Sequence, residues 1–192
     1  QIHRQAVMIP KAGKIWIITG EREAGKTRFC RAVIDSARSK QLSVAGILSP
    51  AVVENGIKTG IDVLDVSSNE KRHLAARREE DPTAITPLWK FDELSLQWGS
   101  EILKKVNACD LFILDELGPL ELQHNQGWVE AIRVLDRRAF HASLVVIRPQ
   151  LLEHGRQRWS DAKLIEIHPH DLPEKLNGYL EQILNDLMLQ AH

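Results

Sequence analysis

The sequence predicts an α/β protein with three layers: a mainly parallel sheet carrying helices on both faces. Three observations carry that expectation. Short apolar runs rich in β-branched residues recur along the chain, stretches with helical periodicity separate them, and the first run leads into a glycine-rich loop that opens a helix. Parallel strands need crossover connections, and a sheet covered on both faces needs strands that are apolar throughout rather than alternating.

The elements follow in order. Ile15 to Thr19 is a buried strand ending at Gly20, and a helix starts at Lys26 with Phe29, Val33 and Ala37 on one side. Val44 to Leu48 is a second buried strand, stopped by Ser49 and Pro50. Asn55-Gly56 signals a hairpin between Val52-Val53 and a strand through Ile61 and Val63, an antiparallel addition to the sheet. Pro82 and Pro87 mark a loop before a helix from about Asp92, whose apolar side is expected to hold Leu94, Trp98, Ile102 and Val106. Leu111 to Leu114 is the next strand, followed by a helix with Trp128, Ile132, Leu135 and Ala139, then by the strand Leu144 to Ile147. Lys163 to Ile167 is a last strand, and Leu176, Leu180, Ile183 and Leu187 stripe a final helix. With no repeat and no Gly/Ser/Pro linker, residues 1–192 read as one nucleotide-binding domain, with 1–12 as a lead-in segment that can join a longer chain or a fused partner domain.

That domain is nucleotide-binding because of two motifs. Gly20-Glu21-Arg22-Glu23-Ala24-Gly25-Lys26-Thr27, with Arg28 behind it, matches GxxxxGK[ST], the P-loop or Walker A pattern, between a buried strand and a helix. Glycines let backbone N–H groups turn inward around phosphate oxygens, and the helix N-terminus adds partial positive charge. Lys26 supplies a point charge for β- and γ-phosphates, and the Thr27 hydroxyl is placed to ligate magnesium. In the second motif the apolar run Leu111 to Leu114 runs straight into Asp115-Glu116. Ligands of open α/β sheets sit beyond strand C-terminal ends, so Asp115 is expected in the magnesium shell and Glu116 as the general base that polarises an attacking water. Arg148 ends the strand Leu144 to Ile147 and is a candidate to neutralise charge in phosphoryl transfer, against the plainer reading of a rim arginine paired with an acid.

Composition narrows the partners. The formal net charge is −1, which gives no global pull toward nucleic acid or an anionic membrane, and Arg72, Arg77 and Arg78 are read as a solvated run rather than a nucleic-acid patch. No apolar run reaches the length of a membrane span. Cys30 and Cys109 lack metal spacing and read as reduced buried thiols, which points to the cytoplasm. The tryptophans are read as core anchors, although Trp89 in its proline-flanked loop can reach a purine.

Asp115-Glu116-Leu117-Gly118-Pro119-Leu120-Glu121-Leu122 resembles the signature of the THEP-type nucleoside-triphosphatases. Gly46-Ile47-Leu48-Ser49, Arg72 to Arg77, Phe91-Asp92-Glu93-Leu94 and Leu172-Pro173-Glu174-Lys175 resemble further segments of that family in the same order. The adjacent Asp-Glu pair is similar to the P-loop subdivision that has an added strand between the two nucleotide-binding strands and a catalytic glutamate. The resemblance implies Mg²⁺-dependent hydrolysis of ATP, GTP and other triphosphates. The chain departs from it at Glu21, Arg22 and Glu23, where the family carries small residues and proline. Two other readings share the phosphate loop. One is a nucleotide or small-molecule kinase, for which Arg156, Gln157 and Arg158 would be a thin lid; the other is a slow nucleotide-dependent switch. Glu121 is expected to orient neighbouring loops.

Overall fold

The computed structural model describes residues 12–190; the lead-in segment 1–12 lies outside them apart from its last residue. Nine strands form one sheet: β1 (Lys14–Thr19), β2 (Val44–Leu48), β3 (Ala51–Glu54), β4 (Ile57–Asp65), β5 (Lys71–Arg77), β6 (Trp89–Phe91), β7 (Cys109–Leu117), β8 (Phe140–Ile147) and β9 (Lys163–Glu166). Six helices accompany them: α1 (Lys26–Ser39), α2 (Glu93–Lys104), α3 (Pro119–Leu122), α4 (Val129–Arg137), α5 (Leu152–Arg158) and α6 (Pro173–Gln190). The strand order is β6-β5-β4-β2-β7-β8-β1-β9, with β3 paired to β4. The five strands β2, β7, β8, β1 and β9 are mutually parallel, whereas β3 to β6 add on in antiparallel fashion through β4.

The period-2 alternation of the central strands divides the core in two. Ile15, Ile17, Phe112, Leu114, Val145 and Ile147 face one side, where they pack with Leu103 of α2 and Ala131 and Leu135 of α4. Trp16, Ile18, Leu111, Ile113, Leu144 and Val146 face the other, against Phe29 and Val33 of α1 and Ile183 and Leu187 of α6. Asp186 fastens α6 to the sheet: its buried carboxylate accepts from Lys14, from Lys163 at 3.0 Å and from the Trp16 indole N–H at 3.2 Å.

The structure corrects or enlarges several expectations. The antiparallel addition is four strands rather than a hairpin. β5 carries only Leu74 and Ala75 as buried residues between exposed neighbours, so it has no hydrophobic alternation by which to be recognised. Arg72 and Arg77 lie on this strand and Arg78 just beyond it, and the Arg72 guanidinium stacks 4.4 Å from the Trp98 ring. Leu94 does not share the buried face of α2; it is 73% exposed, and the seam is made by Ser95, Gly99 and Leu103. Gly99 lies so close to the Trp128 ring that a Cβ would sit 2.5 Å from Nε1, which rotates the buried face away from Leu94. Trp128 is the N-cap of α4 rather than part of its stripe.

Gly46 holds β2 against β7. Its φ is +115°, and a Cβ there would lie 1.9 Å from the Ile113 carbonyl oxygen, a backbone atom of the neighbouring central strand. Both conditions exclude a side chain. Gly46→Ala is expected to destabilise the protein by about 3 kcal/mol, through strain and forced separation of β2 from β7. A urea unfolding midpoint within error of wild type would contradict this.

Candidate functional site

The C-terminal ends of β1, β7 and β8 meet at an open cleft of about 710 Å³. From β1 the chain enters the phosphate loop at Gly20, whose φ is +145° and whose Cβ position is closed off 2.2 Å away by the Ile167 carbonyl. Glu23 (φ +60°) and Gly25 (φ +100°) also take the left-handed region, and Gly25 caps α1. These turns coil the loop over the start of α1, with the Phe29 N–H bonded to the Gly25 carbonyl at 2.9 Å. Lys26 reaches back across the loop, donating to the carbonyls of Gly20 at 2.7 Å and Glu21 at 2.6 Å. Burial lowers its pKa, and Glu116 opposes that shift. Glu21, Arg22 and Glu23, the residues that depart from the family pattern, are exposed to solvent. All residues from Gly20 to Arg28 line the cleft.

β7 supplies the acids. In a regular strand Asp115 and Glu116 would point to opposite faces. Here the register with β8 jumps between Leu114 and Leu117, so two residues occupy the space of one, and Glu116 takes a φ of +72°. Such a bulge re-aims side chains at functional edges of sheets. It brings both carboxylates to the cleft. Asp115 is 2% exposed. It accepts from the Ser49 N–H at 3.1 Å, and the Ser49 hydroxyl donates to the Asp115 carbonyl at 3.1 Å, while Thr27 lines the same cleft. Burial first, then the nearby Glu116 charge, pushes its pKa up to about 6. Glu116 is ion-paired with Arg148, which stands immediately after β8, between the two other strand ends.

The structure thus brings together Lys26, Thr27, Asp115, Glu116 and Arg148, the residues singled out in the sequence. Two more join them. Ser49 had served only as a strand stop, and its side chain and N–H anchor Asp115 from the end of β2. Lys58, on β4, projects into the cleft, with its ammonium 5.0 Å from the Trp89 ring centroid. Burial lowers its pKa, and the Glu116, Arg148, Arg22 and Asp115 charges all act on it. No local motif marks Lys58; only the folding of the hairpin back over the loop places it.

Other candidates lie elsewhere. Arg156, Gln157 and Arg158 do not line the cleft, and Arg158 pairs with Asp136 at 2.6 Å, so α5 is no lid. Trp89 belongs to β6 and lines a second, apolar cavity rather than the phosphate cleft. Arg78 donates to the carbonyls of Thr86 and Pro87 and so braces a loop. Glu121 accepts from the N–H groups of Gly118 at 3.1 Å and Trp128 at 2.9 Å, tying the turn after β7 to the start of α4.

The strand order settles the subdivision of the fold, because β8 lies between β1 with its phosphate loop and β7 with its acid pair. A family model described as NTPase matches residues 15–171. The chain belongs to this family of nucleoside-triphosphatases. Among its relatives, "Nucleoside-triphosphatase THEP1" of Caldivirga maquilingensis is 24% identical over 169 residues, covering 88% of this chain and 95% of that protein. The protein of the same name from Archaeoglobus fulgidus is 28% identical over 167 residues, covering 85% and 97%. The fold is similar to the solution structure of a human cancer-related nucleoside triphosphatase, with a TM-score of 0.67, 20% identity and coverage of 90% and 96%. It is also similar to the crystal structure of THEP1 from Aquifex aeolicus, with a TM-score of 0.63, 21% identity and coverage of 90% and 98%. Among the described residues, no helix of this nucleoside-triphosphatase is long and apolar enough to cross a membrane.

The raised pKa of Asp115 has a consequence for stability. Its folded value of about 6 lies above the ordinary 3.8, so the folded chain binds that proton more tightly than the unfolded chain does. The resulting stability is complete below about pH 4 and is lost as pH rises through about 6. Without nucleotide or magnesium, Asp115→Asn should gain on wild type as pH rises from about 4 to about 8, by on the order of 2 kcal/mol. Parallel Tm–pH curves for the two proteins would show that the carboxyl titrates normally.

Proposed function

We propose that this nucleoside-triphosphatase binds its substrate as the magnesium complex and hydrolyses the β–γ bond with Glu116 as general base. The meeting of the phosphate loop with the bulged Asp115-Glu116 pair and Arg148 carries the reading. The N–H groups of the loop and Lys26 take the β- and γ-phosphates, which compete with the two loop carbonyls for the ammonium. Thr27 and Asp115 present a hydroxyl and a carboxylate to the same cleft, a hard oxygen pair that fits magnesium. When bound there, the ion neutralises phosphate charge.

Glu116 faces the γ-phosphate end and accepts the proton of an attacking water. The water oxygen bonds to the γ-phosphorus as the bond to the bridging oxygen breaks and the diphosphate leaves with the electron pair. Arg148, its partner in the resting pair, meets charge growing on the transferred group. Lys58 adds a further cation to the cleft, beside Lys26 and Arg148. The continuous sheet supports the described residues, 12–190, as one nucleotide-binding domain. Burial pushes the Cys109 thiol up to about 12 and the Cys30 thiol well above its ordinary value, which supports unreactive thiols in a reducing cytoplasm.

Phosphate release across the common triphosphates with magnesium tests the reading. Glu116→Gln should retain Mg·NTP binding, seen as a ligand-dependent rise in Tm, while hydrolysis falls by roughly 10²-fold or more. A variant hydrolysing at the wild-type rate would move the base elsewhere. Lys26→Ala should lose most of the Tm rise itself.

Arg148→Ala should lower kcat more than it raises KM, because the guanidinium acts on charge that develops in the transition state. Equal losses of kcat and of thermal stability would instead make the pair with Glu116 a structural brace.

A further inference from the structure

Beside the phosphate cleft lies a second cavity of about 300 Å³, built by the antiparallel extension against α2 and the turn after β7. Ile61 and Leu74 form its floor, Trp89 and Phe91 of β6 one side, and Leu96 and Trp128 the other. The loop between β5 and β6 closes over it and is held in shape by its own bonds. Arg78 donates to Thr86 and Pro87, and the N–H groups of Arg78 and Asp81 donate to Leu88 and Pro87.

Its mouth opens on the catalytic pair. Arg22, Ser49, Glu116, Pro119 and Arg148 line both this cavity and the phosphate cleft, whereas Gly25 to Arg28 line the cleft alone. Lys26 and Thr27 mark the β-phosphate and metal positions, so the α-phosphate and nucleoside leave past the start of α1, away from this cavity. The cavity therefore adjoins the γ-phosphate, on the side from which a nucleophile arrives.

Several polar groups of its wall are already engaged. Glu121 accepts two backbone N–H groups, the Thr86 hydroxyl donates to the Trp89 carbonyl, and the Ser49 hydroxyl donates to Asp115. An occupant gains by burying apolar surface and finds charged side chains in Arg22, Glu80, Glu116 and Arg148, of which Glu116 and Arg148 belong to the catalytic group. The volume is about twice that of a cavity known to take benzene, which is about 150 Å³. It suits a one- or two-ring aromatic or a branched alkyl body.

We propose that this cavity binds a second substrate, a compact apolar alcohol whose hydroxyl replaces the attacking water at Glu116 and receives the γ-phosphoryl group. The inference rests on Glu116 as the base. The acceptor oxygen bonds to the γ-phosphorus as the bond to the β–γ bridging oxygen breaks. The nucleoside diphosphate leaves with the electron pair, and the hydroxyl proton passes to Glu116. With the cavity filled by water alone, hydrolysis is the outcome, so the two activities share one phosphoryl donor site.

The probes are benzyl alcohol and 2-naphthalenemethanol. Binding is read from the tryptophan indole N–H signals of ¹⁵N-labelled protein, and transfer from the products formed with magnesium and γ-³²P-labelled ATP. Saturable shifts are expected at Trp89 and Trp128, with Trp16, on the far side of the sheet, unmoved. Leu88→Phe, or Leu120→Phe if the first variant does not fold, should abolish the shifts by filling the cavity. Label should divide between inorganic phosphate and the phosphate monoester of the alcohol, the ester fraction rising along the same saturation curve as the shifts. Absence of indole shifts with both probes overturns the site, and saturable shifts without labelled ester overturn the acceptor role. Phosphate release without alcohol is a separate readout, so either failure leaves the hydrolase reading standing, and only its own absence would sink that reading.

Discussion

The three neighbouring strands β7, β8 and β1 are buried on both faces through their middles, and only at their ends can the chain turn polar without stranding a buried charge. Leu111 to Leu114, Ala142 to Ile147 and Ile15 to Ile18 admit no solvent between the two helix layers. A carboxylate or guanidinium inside that stack would carry a desolvation cost of several kcal/mol. Displaced to the strand ends, the same groups face one cleft from three adjacent backbones. Parallel pairing makes this work, because it places all three ends on one edge of the sheet. The phosphate loop, the acid pair and Arg148 are neighbours for that reason, although they are far apart in sequence.

Within the cleft, charge is arranged so that each buried or half-buried group has a counterpart. Asp115 is the most deeply placed and its carboxylate is held by the Ser49 N–H rather than by a cation in contact. Its carboxyl therefore titrates high, a strain in the protein alone that a divalent cation would relieve. Glu116 is kept half-exposed by the bulge and balanced by Arg148. The positive φ of Glu116 is the backbone cost of pointing two successive side chains into one space. Local strain at this position and cooperation between the acids have the same origin.

The antiparallel extension serves the site as well as the fold. It widens the sheet beyond β2, carries Lys58 back over the phosphate loop, and walls the apolar cavity that opens at Glu116. The Glu121 carboxylate, spanning Gly118 and Trp128, ties the wall of that cavity to the turn that follows the acid pair. Occupancy of the cavity and placement of Glu116 are thus mechanically adjacent.

What could be read from the sequence were features encoded locally and in apolar patterning. Four of the five parallel strands, β1, β2, β7 and β8, contain continuous apolar runs, the phosphate loop is one contiguous segment that carries two glycines and a lysine, and Asp115-Glu116 and Arg148 sit where such runs stop. Hydrophobic burial alone selects those elements, so their positions survive without knowledge of the fold. The remainder depended on partners distant in sequence. β5 and β6 are held by pairing with β4 and by few buried residues, Leu94 was turned outward because Gly99 and Trp128 set the face of α2, and Ser49 and Lys58 became site residues only through packing. The bulge that aims both acids inward arises from register against β8. Register is a relation between two strands, and a linear pattern carries no information about it until the strands are paired.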